Sequence, residues 1–183
     1  VIAGDRRYQP FYCEENVYHL CQEPQLAGRA PAALFIRGGA DGCLMWHQRS
    51  APRRHEPIIW DYHVVLLAQD PWEVWDLDTT LGCPVAATSY LLRSFRPQLA
   101  VPAGFTPRFR LIGAAELAAT FASDRSHMRR PDGQWNEPPP PWPPIGREGL
   151  RDSLARYLDM DDPIAGERLD LPTLLARVQG RGP

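Results

Sequence analysis

Ile58-Ile59-Trp60-Asp61-Tyr62-His63-Val64-Val65-Leu66-Leu67, followed by Gln69-Asp70-Pro71 and then Trp72-Glu73-Val74-Trp75-Asp76-Leu77-Asp78, is the stretch that decides the fold. The first run is rich in β-branched and aromatic residues. Toward its end it is apolar on both faces, as a central strand is. Gln69-Asp70-Pro71 reads as a turn and the second run as an antiparallel partner, so the two predict a long hairpin. Working outward, Ala32 to Arg37 is a short apolar run closed by Gly38-Gly39 and reads as another strand. Met45-Trp46 suits a short strand, Arg108 to Ile112 alternates as a strand does, and Leu91 to Phe95 fits either helix or strand.

Upstream, Cys13, Val17, Leu20 and Cys21 recur on one helical face. Glu14 and Glu15 fall in the first turn, where the helix dipole favours acids, and Pro24 ends the helix. Ala114 to Phe121, Leu150 to Leu158 and Leu171 to Val178 read as further helices. The expected fold is α/β of the α+β kind, with one domain over 1–183 and a mainly antiparallel sheet flanked by helices. Ser123 to Pro144 stands apart as a long loop. Its Pro138 to Pro141 run suits polyproline II, and its aromatics argue that it packs down as a strap.

The 183 residues are 44% hydrophobic and 23% charged, with net charge −2. Such a chain is globular, close to one domain in length, and is expected to bind neither nucleic acid nor a membrane surface. Its basic residues are all Arg, which removes Schiff-base lysines and Walker-type phosphate lysines. Cys13, Cys21, Cys43 and Cys83 form no CxxC pair, so a cytoplasmic monomer with reduced thiols is expected. No apolar run is long enough to span a membrane, and Val1 to Asp5 shows no basic lead into an apolar stretch, so no signal peptide is expected.

The candidate chemistry lies at Cys13, His63, Asp76 and Asp78. A thiol at a helix start feels the positive helix end, which lowers its pKa; the alternative is a buried structural cysteine. His63 needs an orienting partner, and alternation puts Asp76 and Asp78 on one face of the next strand. Together they suggest a nucleophile, a base and an orienter. That order is similar to papain-like and transglutaminase-like cysteine enzymes, where a helix N-terminus packs its thiol against a sheet. Cys43, His47, His55 and His63 match no common zinc spacing, so no metal is expected. His127 reads as a loop anchor.

Five segments resemble one family, the protein N-terminal glutamine amidohydrolases. They are Phe11-Tyr12-Cys13-Glu14-Glu15-Asn16-Val17, Ile59 to Leu67, Trp75-Asp76-Leu77-Asp78-Thr79, Phe121-Ala122-Ser123-Asp124-Arg125-Ser126-His127-Met128, and Trp135-Asn136-Glu137 with Pro138 to Pro141. Residues 22–50 and 82–107 lie outside the resemblance. It implies hydrolysis of the side-chain amide of an N-terminal Gln to Glu and ammonia, without a cofactor. It also implies a Cys13-His63-Asp76 triad, a thioester intermediate, and peptide or protein substrates with a free N-terminus. Asp124 is the first candidate to read the substrate's α-ammonium, because its loop is long and polar. Asp61 and Glu14 are alternatives, and Tyr12 and Ser123 are further substrate-binding candidates. Two other classes remain open on the residues alone. One is a different thiol hydrolase or a transglutaminase-like acyltransferase. The other is a non-catalytic interaction protein that works through its proline strap.

Overall fold

The computed structural model describes residues 6–53, 55–146 and 149–181. Val1 to Asp5, on which the signal-peptide expectation rests, lie outside the described residues. A six-stranded antiparallel sheet organises the chain. Its strands are β1 (Ala32–Arg37), β4 (His63–Ala68), β5 (Glu73–Trp75), β6 (Val85–Ala86), β7 (Arg108–Gly113) and β8 (Glu167–Asp170), in the spatial order β6-β5-β4-β1-β7-β8. A separate two-stranded sheet pairs β2 (Cys43–Met45) with β3 (Ile58–Trp60).

Helices cover both faces, and the strand pleat shows why. Phe35, Val64, Leu66 and Ile112 point to one side, where α1 (Cys13–Leu20), α3 (Ala114–Thr120) and α4 (Leu154–Leu158) bury Val17, Leu20, Leu117, Leu154 and Tyr157 against them. Leu34, Ile36, Val65, Leu67 and Phe109 point to the other. There α2 (Ala87–Phe95) and α5 (Leu171–Val178) contribute Tyr90, Leu91, Phe95, Leu171 and Leu174. All six residues of β4 are buried, as its two-sided apolar pattern predicts. Leu91 to Phe95 is resolved as the end of α2, whose apolar face closes the second core.

The run from Ile58 to Leu67 is two strands, not one. β3 pairs with β2, Met45 opposite Ile58, and leaves Ile59 half exposed. The chain then turns at Asp61-Tyr62 before β4 joins the main sheet. The hairpin partner is also shorter than expected, because β5 stops at Trp75. Continuing the register of Leu66↔Trp75 and Leu67↔Val74 would set Asp78 opposite His63. The chain leaves the sheet instead, and the backbone N–H of Asp78 folds back onto Asp76 Oδ1 at 2.9 Å. The two acids therefore converge through a turn and not through the pleat. The last third differs too. Leu150 to Leu158 is helical only over α4, because Ser153 bonds both the N–H and the carbonyl of Ala122.

The strap packs down. Arg125, in a left-handed conformation, forms a buried bidentate pair with Glu15 of α1, at 2.6 and 2.7 Å. Trp142 Nε1 donates to the same carboxylate at 2.7 Å, and Tyr12 donates to the Glu137 carbonyl at 3.1 Å. Elsewhere Arg110, the largest fully buried side chain, donates to the carbonyls of Tyr157, Asp159, Asp162 and Ile164, which shapes the loop before β8. Among the described residues no helix is long and apolar enough to cross a membrane.

Candidate active site

His63 opens β4 and is 1% exposed. Its Nε2 lies 3.0 Å from Asp76 Oδ1, so the ring's other nitrogen, Nδ1, is the one left for chemistry. Asp76 is equally buried and its carboxylate is saturated. Oδ1 also accepts the Asp78 N–H, and Oδ2 accepts from Tyr90 at 2.8 Å and from Gln48 Nε2 at 3.2 Å. Burial alone would raise Asp76, but the His63 charge and these donors outweigh it and hold the carboxyl below its ordinary range. Burial likewise opposes charge on His63, and the Asp76 carboxylate wins, which pushes the imidazole up. Trp60 stacks on the His63 ring at 5.5 Å and 10° and donates through Nε1 to Gln48 Oε1. Trp60, Gln48 and Asp76 thus clamp the imidazole from its face and its edge.

Cys13 is the first residue of α1, and an amide at that position has no acceptor within the helix. Its thiol is not acidified. Burial pushes it well above the ordinary cysteine range, the Glu14 and Asp78 charges add to this, and the opposing backbone bond from Val64 is too weak to reverse it. The expected lowering by the helix end fails because the flanking carboxylates and lost hydration exceed a half-charge. The Cys13 thiol lies 3.7 Å from Glu14 Oε2, its acceptor. Tyr62 donates to the same oxygen at 3.0 Å. Glu14 Oε1 accepts no hydrogen bond from a described residue, and His127 Nε2 lies 3.5 Å from it.

Cys13 and His63 both line a cavity of about 270 Å³. Asp61, Asp78 and Glu137 are the acidic residues among its described lining, and Phe11, Ile59, Trp60 and Met128 are among the apolar ones. A buried thiol, a clamped histidine and a cluster of acids suit nucleophilic attack on a substrate that carries positive charge nearby.

The model of a family described as N-terminal glutamine amidase matches residues 8–177. A protein N-terminal glutamine amidohydrolase of Arabidopsis thaliana is 34% identical over 184 residues, covering 94% of this chain and 83% of its own length. The chain belongs to the N-terminal glutamine amidase family. A human protein of the same name is 35% identical, with 86% of this chain and 80% of its own covered. One from Drosophila grimshawi is 39% identical over 78% of this chain and 73% of its own.

In this family member the cavity gathers some of the expected residues and leaves others outside. Asp61 lines it, is exposed, and has no hydrogen bond or ion pair to any described residue. Glu14 sits behind Cys13. Tyr12 is fully buried, with its hydroxyl spent on the strap. Ser123 is buried in a backbone bridge to Ile145. Asp124 is exposed and does not line the cavity. Its Oδ1 accepts the Ser126 N–H at 2.7 Å, and the Ser126 side chain together with that amide holds its carboxyl low. The loop's polarity serves the loop's own turn.

Gln48 escapes the sequence reading, and His127 and Asp78 do more than it assigns them. His127, expected as an anchor, reaches Tyr62 and Glu14; burial opposes its charge, but Glu14 pushes it up. Gln48 lies in a polar loop with nothing to mark it. Asp78, the alternative to Asp76 on the sequence, lines the cavity and takes the Tyr8 hydroxyl at 2.6 Å. Burial, with the Asp76 charge beside it, pushes its carboxyl up. Among the described residues the acid, histidine and cysteine groups close enough to share an ion are His63, Asp76 and Asp78. Cys43, His47 and His55 do not join them.

Proposed function

We propose that this chain is a hydrolase that converts an N-terminal glutamine of a peptide or protein to glutamate and releases ammonia. Cys13, His63 and Asp76 act as nucleophile, acid–base and orienter. The observation that carries the reading is the cavity that Cys13 and His63 share, with His63 held at its far nitrogen by a saturated Asp76.

The steps follow from the groups' protonation. Cys13 rests as a thiol, so its proton must pass to His63, whose affinity for a proton Asp76 raises. The thiolate then attacks the carboxamide carbon. The Cys13 backbone N–H, free at the helix start, faces the developing oxyanion. The imidazolium protonates the departing ammonia and leaves a γ-glutamyl thioester. His63 next takes a proton from water, which opens the thioester and restores the thiol.

Substrate reading follows from reach. In glutamine the α-nitrogen is four bonds from the carboxamide carbon, at most about 5 Å away. Its partner must therefore line the same cavity as Cys13, which favours Asp61 and Asp78 over Asp124. Residues 1–183 act as a single catalytic domain, and we take the protein as a cytoplasmic monomer. The four free cysteines accord with that compartment. Incubation with a glutamine-starting peptide should release ammonia without cleavage of the chain, and the N-acetylated peptide should be inert. Ammonia release from internal glutamine at an equal rate would refute the reading.

A further inference from the structure

A γ-glutamyl thioester with a free α-amine carries its own competitor to water. An unprotonated α-nitrogen can attack the thioester carbonyl carbon within the same molecule. The C–N bond forms, the C–S bond breaks with its electron pair going to sulfur, and the nitrogen's proton ends on the thiol. The product is a five-membered lactam, a pyroglutamyl peptide. Such intramolecular attack has an effective molarity on the order of 10⁵ M or more, far above that of water. A site that hydrolyses this thioester must therefore suppress cyclisation.

The cavity is built for that. Among the described residues its titratable groups are Cys13 from α1, Asp61, Tyr62 and His63 around the start of β4, Asp78 from the turn after β5, and Glu137 from the strap. Two carboxylates keep an oxygen for a ligand. Asp61 has no partner among the described residues. Asp78 is 6% exposed and lines the cavity; Oδ1 takes the Tyr8 hydroxyl, and Oδ2 accepts no hydrogen bond from a described residue. Asp78 also lies within 4.8 Å of the His63 and Asp76 polar atoms, at the reacting end of the cavity. Among the described residues no Arg lines the cavity, and the cation that acts on Asp78 from outside it is Arg49.

Resting on the amidohydrolase reading, we propose that Asp61 and Asp78 hold the substrate's α-nitrogen as an ammonium while the thioester exists, so that water and not the amine opens it. The carboxylates that read the free N-terminus thus also decide the product, and the site carries a suppressed glutaminyl-cyclising activity. An ordinary α-amine titrates near pH 7.7–8.0, and a carboxylate within reach raises this by about one unit or more. Losing one carboxylate therefore exposes about tenfold more free amine at a given pH.

The test reads the product ratio by mass spectrometry of a glutamine-starting peptide. The glutamyl product exchanges NH for O, while the pyroglutamyl product only loses ammonia. Asp61→Asn should raise the pyroglutamyl-to-glutamyl ratio about tenfold near pH 8, and Asp78→Asn should raise it in the same direction. Combining Asp61→Asn with Cys13→Ala should remove the enzymatic pyroglutamyl product, because no thioester forms. The unmodified protein supplies a readout that needs no variant: its ratio should still be climbing above about pH 8, where that of a free amine has levelled off. An unchanged ratio in both variants, or a climb in the parent that tracks the free amine, would overturn the inference and leave the hydrolase reading standing. No glutamyl product from the parent would overturn that reading itself.

Discussion

Asp76→Asn exchanges one carboxylate oxygen for an NH₂ at nearly constant volume, and the structure fixes which one. Oδ1 faces two donors, His63 Nε2 and the Asp78 backbone N–H; Oδ2 faces Tyr90 and Gln48. The backbone amide cannot turn away, so the remaining oxygen stays at Oδ1 and the new NH₂ points at Tyr90 and Gln48. The Tyr90 hydroxyl can rotate to accept. Gln48 cannot flip without losing the bond from Trp60 Nε1. One buried donor is left unpaired, which costs about 1–3 kcal/mol and lowers Tm by a few degrees in a folded protein. The chemical loss is larger. Without the negative charge, only the weaker effects of the Asp78 and Glu14 charges oppose burial of His63, its pKa falls, and the imidazolium needed at ammonia departure is less stabilised. We expect kcat to drop by about 10³–10⁴. Ammonia release from a glutamine-starting peptide gives the rate, a thermal melt gives the stability, and imidazole NMR should show His63 titrating at lower pH. A folded Asp76→Asn within tenfold of the parent, with Asp78→Asn folded and inactive, would refute the assignment.

Three further outcomes follow from the surroundings. Glu14→Gln removes the charge beside the thiol, so Cys13 should become more acidic and iodoacetamide should alkylate it faster at neutral pH; an unchanged rate would show that burial alone sets its reactivity. Glu15→Gln breaks a buried pair that ties the strap to α1 and should cost about 3–5 kcal/mol, with new protease sensitivity between 123 and 144; a melt within a degree of the parent would contradict this. His19 is held low, to about 4, by burial and by Arg7 and Arg125. Since its folded value lies below the unfolded one, the unfolded chain binds the proton first, and stability is lost as pH falls from about 6.5 to about 4. His19→Gln should flatten that part of a stability-against-pH curve, and an unaltered slope would assign it to other groups.

Much of this architecture was legible because its elements satisfy a local period. Ala32 to Arg37, Leu171 to Val178 and the helix at Cys13 fall where their apolar spacing puts them. What could not be read was where periodicity stops. Ile58 to Leu67 has continuous strand propensity, yet it serves two sheets, and propensity carries no record of a partner. Alternation brought Asp76 and Asp78 near His63 by the wrong route: the pleat would choose Asp78, and a turn delivers Asp76. The cysteine's environment was misjudged because a helix end is visible in sequence while the desolvation around it is not. Asp124 looked like a binding group because short acids cap their own turns, and the same polarity marks both roles.

The central claim is that Cys13 carries the substrate as a thioester. Rapid acid quenching of the protein with a glutamine-starting peptide, followed by intact-mass analysis, tests it directly. The expected result is an adduct equal to the peptide less ammonia, located on Cys13, released by hydroxylamine and absent in Cys13→Ala. Deamidation that persists in Cys13→Ala, or an adduct on Cys21, Cys43 or Cys83 in its place, would contradict it.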